Sequence, residues 1–131
     1  MIAGSVFDCD WREDVLPKEP NKVGRPAIVV EDSDLFPSDF PNVVVVACTK
    51  YLDFAIPSLS VRIEPDTANG LVAVSYAVAH QVTVVSKRRL GKMRGTVTPE
   101  VLDAIRGAIA ESLGIVAQPS SGRAAFPPSI G

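Results

Sequence analysis

Arg25 stands immediately before Pro26, at the point where the apolar run Ala27–Val30 begins. Proline fixes its own φ and pushes the preceding residue toward extended backbone, so Arg25 is held straight at the mouth of a strand. A second apolar run, Val43–Cys48, ends in Thr49 and Lys50. If the two runs are neighbouring strands, a guanidinium and a hydroxyl converge on one rim of a sheet. That pair suits a phosphate, because arginine offers fixed, permanently charged donors that match phosphate oxygens two at a time. The same residues also read as a solvated rim charge and a threonine that merely ends a strand.

Other chemistry is sparse. One histidine (His80) and two cysteines (Cys9, Cys48) form no ligand cluster at a recognised metal spacing. The glycines are scattered and match no phosphate-cradling loop, and no nucleophile elbow is present. Charge, however, is unevenly placed. From Met1 to Phe40 nine acids face four bases, whereas Thr67–Pro99 holds no acid and gathers Lys87, Arg88, Arg89, Lys92 and Arg94 within eight residues. On a chain of net charge −2, such asymmetry fits one face that attracts a polyanion, or a solvated basic loop. His80 reads either as a strand residue at a sheet edge or as a proton donor or acceptor beside a substrate.

The elements that must position these residues fit one domain of 131 residues, 47% of them hydrophobic. The longest purely apolar run is far short of the roughly 20 residues a bilayer span needs. The acidic N-terminus does not read as a signal peptide, so reduced thiols and a cytoplasmic location are expected. Gly4–Trp11 alternates Val6, Asp8 and Asp10 against Phe7, Cys9 and Trp11, the period of a half-buried strand, with Trp11 on the core side. The runs around Ala27–Val30 and Val43–Cys48 read as central strands. Leu59–Pro65 alternates again, and Gly70–Val85 reads as two strands or one bent strand, with a break near His80–Gln81. Five or six short strands predict a small antiparallel barrel or sandwich.

A helix should follow. Thr98 is a good N-cap, Pro99 suits the first helical position, and Glu100 favours the positive end of the dipole. Leu102, Ile105, Ile109 and Leu113 recur at helical spacing, and Gly114 is a natural stop. Residues 1–116 are read as the domain and 117–131, rich in Pro, Ser and Gly, as a loosely held tail. Between the first two strands, Arg12–Gly24 is a long polar loop of the kind that often carries function. Trp11, Tyr51 and Phe54 are candidate base-stacking aromatics.

In their order and spacing these pieces resemble the MazF/PemK family of toxin endoribonucleases, the toxin halves of bacterial toxin–antitoxin pairs. The resemblance runs from Gly4 to about Ile115 and rests on "GSVFDCDW", "GRPAIVV", "VVVVACTK" and the closing stretch "SYAVAHQVTVVSKRRLGKMRG" with its helix. It implies a small SH3-like antiparallel β-barrel closed by a C-terminal amphipathic helix, a homodimer, and cleavage of single-stranded RNA without metal or other cofactor. The substrate's 2′-hydroxyl would attack the adjacent phosphate, leaving a cyclic phosphate and a 5′-hydroxyl. Carried over by position, Arg25 and Thr49 are catalytic. Lys50 stands where the family has a serine, His80 where an acid is frequent, and Thr83 where some members place an arginine. These three, with Gln81, Lys87, Arg88 and Arg89, are the implied RNA-binding residues. The implied protein partner is a cognate antitoxin that lays an extended acidic segment along the RNA groove. Related gyrase-directed toxins of the same barrel act through the C-terminal helix and need no Arg/Thr pair, so Arg25 and Thr49 favour the ribonuclease. A non-catalytic barrel that binds RNA or protein is the remaining reading.

Overall fold

A computed structural model describes residues 1–11, 23–51, 53 and 55–115. Among these residues seven strands and one α-helix follow in order: β1 (Ser5–Asp10), β2 (Val23–Val29), β3 (Asn42–Thr49), β4 (Ser60–Ile63), β5 (Ser75–Val78), β6 (Thr83–Ser86), β7 (Leu90–Thr96) and α1 (Pro99–Ser112). All pairings are antiparallel. The sheet runs β4-β5-β3-β2-β1-β7, and β6 joins the first half of β3 while β5 joins its last two residues. β3 therefore bends and serves two neighbours along one edge, which curls the sheet into a barrel.

The continuous β-branched runs are explained by burial on both faces. Ile28, Val46 and Cys48 share one core cluster with Val6, Ile63, Ala77 and, from the helix, Ile105. Ala27, Val29, Val45 and Ala47 face the other way, into a cluster with Cys9, Trp11 and Val78. Cys9 and Cys48 are buried on opposite faces of the sheet and are not joined by a disulfide.

The two ends of the sheet, β4 and β7, do not pair in a ladder. A turn after β4 bridges them instead: Thr96 N–H donates to Ala68 C=O at 2.8 Å. The Asn69 side chain holds that turn, accepting from the N–H groups of Asp66 and Leu71 and donating to Glu64 C=O. The backbones approach so closely that a Cβ on Gly70 would lie 2.3 Å from Arg94 O, and one on Gly95 would lie 2.0 Å from Ala68 O. Gly70 also has φ +68°, in the left-handed region where only glycine is comfortable.

The helix begins as its sequence predicts, with Thr98 Oγ1 accepting from Val101 N–H at 3.2 Å. Ile105 is fully buried, and Val101, Leu102 and Ile109 pack beside it. Arg106 fastens the helix to the end of β2 through bonds to the carbonyls of Val30 and Glu31. Leu113, expected on the apolar stripe, caps the helix and is 64% exposed. The break expected near His80–Gln81 is a 3₁₀ turn, Ala79–Gln81. The stretch read only as a basic turn holds a 3₁₀ turn, Lys87–Arg89, followed by the seventh strand. Residues 12–22, 52, 54 (the candidate aromatic Phe54) and 116–131 lie outside the described residues, and with them most of the polar loop and the tail. Among the described residues, no helix is long and apolar enough to cross a membrane.

Candidate active site

The ladder between β2 and β3 pairs Ala27 with Ala47 and Val29 with Val45. Continued by two residues, that register sets Arg25 opposite Thr49, on the face of Ala27 and Ala47, because alternate residues of a strand share a face. Arg25 is also paired across β1 with Cys9, which belongs to the same face. The rim on which an arginine and a threonine could converge therefore exists.

Both residues are held tightly. Arg25 is 6% exposed and Thr49 2%. Trp11 grips Arg25 twice: its indole N–H donates to the Arg25 carbonyl at 2.9 Å, and the guanidinium carbon lies 5.7 Å from its ring centroid. The second contact is a cation–π interaction, strengthened by burial. Thr49 Oγ1 accepts the N–H of Tyr51 at 3.1 Å. That bond fixes the rotamer and leaves the hydroxyl hydrogen to point elsewhere, so Thr49 is arranged as a donor.

A further cation acts on Cys9, the residue paired with Arg25. Burial raises the Cys9 thiol pKa from 9.0 to about 11, with Asp10 adding to the rise, while Arg89 and Arg25 pull it back. Both guanidinium groups thus act on one buried thiol. The register agrees, since Leu90, next to Arg89, pairs with Cys9 from the other side.

The remaining implied residues are spread out. Lys50 follows Thr49 directly and is exposed. Thr83 pairs with Val45, so it shares the face of Arg25, further along the sheet. Lys87 is anchored elsewhere: its ammonium donates to Ser38 C=O, and its strand neighbour Ser86 pairs with Asn42 at the far end of β3 from Thr49. Arg88 is exposed, with its backbone N–H bonded to Ser86 Oγ. His80 and Gln81 lie in the 3₁₀ turn that packs against α1 and β3. His80 Nδ1 and Gln81 Oε1 are buried there without a hydrogen-bond partner. Among the described residues, no three His, Cys, Asp or Glu side chains gather as a metal site requires.

Tyr76 was not singled out in the sequence, yet β5 pairs it directly with Thr49. Only the register reveals it, and no local spacing signals which strand will lie beside Thr49.

Comparison with known proteins identifies the family and the fold. The family model described as "PemK-like, MazF-like toxin of type II toxin-antitoxin system" matches residues 3–113. Among solved structures, an endoribonuclease in complex with its cognate antitoxin, from a mycobacterial species, superposes with a TM-score of 0.67 at 24% identity, covering 90% of this chain and 99% of that one. The Mycobacterium tuberculosis toxin MazF-mt6 gives a TM-score of 0.67 at 16% identity, covering 86% and 99%. A MazE–MazF complex from Deinococcus radiodurans gives 0.61 at 16% identity, covering 88% and 98%. At these identities the structures establish a shared fold. No curated protein matches the chain.

Proposed function

The chain belongs to the PemK-like, MazF-like family of type II toxin–antitoxin toxins, and from that membership we propose that it is an endoribonuclease acting on single-stranded RNA. The reaction is an attack by the substrate's 2′-oxygen on the adjacent phosphorus. The P–O5′ bond breaks, the 2′-hydroxyl gives up its proton to solvent and the departing 5′-oxygen takes one from it, leaving a 2′,3′-cyclic phosphate and a 5′-hydroxyl. No metal or cofactor takes part, the working unit is a homodimer, and a cognate antitoxin restrains it.

What supports this reading is that Arg25 and Thr49 continue the shared face of Ala27 and Ala47 on neighbouring strands, with Arg25 gripped by Trp11. Negative charge grows on the non-bridging oxygens as phosphorus becomes five-coordinate. A guanidinium already fixed in position stabilises that charge without reorganising, and one such donor contributes about 10²–10³ in rate. Thr49 donates its hydroxyl hydrogen to a phosphoryl oxygen while the Tyr51 N–H holds its oxygen. Arg89 adds positive charge from the β7 side. Neither Arg25 nor Thr49 is a general base at neutral pH, so their role is to hold and stabilise.

A chimeric oligonucleotide tests the chemistry. A single 2′-deoxy substitution 5′ to the cut should abolish cleavage there and leave binding intact. Mass analysis of the products should find the cyclic phosphate. Cleavage that continues at the deoxy position, or that yields 5′-phosphate ends, would mean that water and not the 2′-hydroxyl is the nucleophile.

A further inference from the structure

The face that Arg25 and Thr49 share continues onto the strands beyond β3. Thr49 pairs with Tyr76 of β5, and Tyr76 pairs with Arg62 of β4. Directly opposed residues in antiparallel strands share a face. Arg25, Thr49, Tyr76 and Arg62 therefore form one row across four strands. The neighbours confirm the face: Val61 and Ile63 pack into the helix-side core, which turns Arg62 the other way, and Val78, two residues past Tyr76, lies in the cluster of Ala27 and Ala47. At about 4.8 Å between strands, the row spans roughly 14 Å from Arg25 to Arg62.

Its composition is that of a single-strand track. A cation stands at each end, with a hydroxyl and a half-buried aromatic ring between them. Sequence-tolerant recognition of single-stranded nucleic acid combines these two elements, positive charge for phosphates and aromatic faces for bases. Arg62 is engaged by Glu64 at 2.6 Å, but both side chains are more than half exposed, 60% and 64%. An exposed pair of this kind is weak and exchanges readily for a phosphate.

We propose that Tyr76 and Arg62 form a nucleotide subsite beside the scissile phosphate, Tyr76 stacking on a base and Arg62 holding the phosphate attached to it. The Arg62–Glu64 pair is the resting state of that subsite, and RNA displaces Glu64. This inference rests on the endoribonuclease reading and adds to it the side of the sheet along which the substrate runs.

The test is binding of a fluorescent single-stranded RNA carrying 2′-O-methyl groups throughout, which cannot be cut by its own 2′-oxygen. Anisotropy is measured over a range of salt. Tyr76→Leu should weaken binding about tenfold, a typical loss for one stacked base, whereas Tyr76→Phe should stay within about twofold because the ring remains. Arg62→Gln should lower the slope of log K against log salt by about 0.7, the value of one single-strand phosphate contact. Glu64→Gln should bind more tightly than wild type, an outcome that a damaged fold does not produce. Arg62→Gln and Tyr76→Leu with wild-type melting temperature, affinity and salt slope would overturn the subsite. If wild type cleaves RNA while these variants bind and cleave as it does, the inference alone falls. If wild type neither binds nor cleaves, the endoribonuclease reading falls and takes the subsite with it.

Discussion

Trp11 and Arg25 are joined at two points: the indole N–H bonds the arginine's carbonyl, and the indole face lies against its guanidinium. One side chain thus fixes both the backbone and the charged head of Arg25. Preorganisation of that kind lets a cation stabilise developing charge without first paying to be ordered.

Trp11→Phe keeps a ring near the guanidinium and removes one buried hydrogen bond. It should destabilise the fold by about 1–3 kcal/mol and preserve most of the cleavage rate. Trp11→Leu also removes the aromatic face. It should lower kcat well beyond the phenylalanine variant while leaving KM near wild type, because Arg25 then has to find its position during the reaction. Equal kcat in the two folded variants would show that the aromatic face does not position Arg25.

The three consecutive basic residues of the Lys87–Arg89 turn should not contribute equally. Arg89 acts on the same buried thiol as Arg25, whereas the Lys87 ammonium is tied to Ser38 beside the far end of β3. Arg89→Gln should reduce kcat/KM for RNA by about tenfold or more, the scale of a charge-assisted contact. Lys87→Gln should change it by less than about threefold, as expected for an exposed, screened charge. Steady-state cleavage of one oligonucleotide by both variants decides between this order and its reverse.

Barrel closure depends on two glycines at one crossing. An alanine Cβ at Gly95 or Gly70 would collide with backbone atoms of Ala68 or Arg94. Backbone cannot swing aside as a flexible side chain can, so each alanine variant should lose about 1–3 kcal/mol or more. Gly107, whose added Cβ meets nothing within 4 Å, is the control. It lies inside the helix, where alanine should stabilise by about 0.5–1 kcal/mol. Urea unfolding of the three variants reads both signs.

Alkaline stability should depend on Cys9. Its thiol pKa is raised from 9.0 to about 11 in the folded chain, chiefly by burial. The unfolded chain therefore loses this proton first as pH rises. The associated stability is complete below pH about 9 and is lost progressively toward pH 11, a decline of about 2 kcal/mol in size. Cys9→Ala should flatten that decline relative to wild type. A parallel fall in both proteins between pH 8 and 11 would assign it to other groups.

Much of the scaffold was legible because local pattern and tertiary context agree. The alternation of Gly4–Trp11 placed Cys9 and Trp11 on the core side, and Thr98-Pro99-Glu100 marked the start of the helix. β7 was not legible. Its sequence, LGKMRGT, carries two glycines and two cations, and its stability comes from pairing with β1 and from the turn at Ala68 rather than from its own propensity. Arg25 and Thr49 could be singled out by their positions at strand ends, but their meeting depended on which strands became neighbours. Tyr76 and Arg62 had no signal at all, since a cross-strand row exists only once the register is set. His80 and Gln81 were placed correctly at a break in the chain. Their packing against α1 follows from where the helix docks, which the helix sequence alone does not specify.

The central claim is that Arg25 and Thr49 together hold and stabilise a phosphate under attack. The most direct measurement is cleavage of a long single-stranded RNA in EDTA by wild type, Arg25→Ala and Thr49→Ala, each checked for folding by circular dichroism. The account predicts discrete cuts by wild type and a loss of about 10²–10³ in rate for Arg25→Ala, with Thr49→Ala also strongly impaired. Intact RNA after incubation with folded wild type, or wild-type rates in both variants, would contradict it and return Arg25 to the role of a buried strand residue held by a tryptophan.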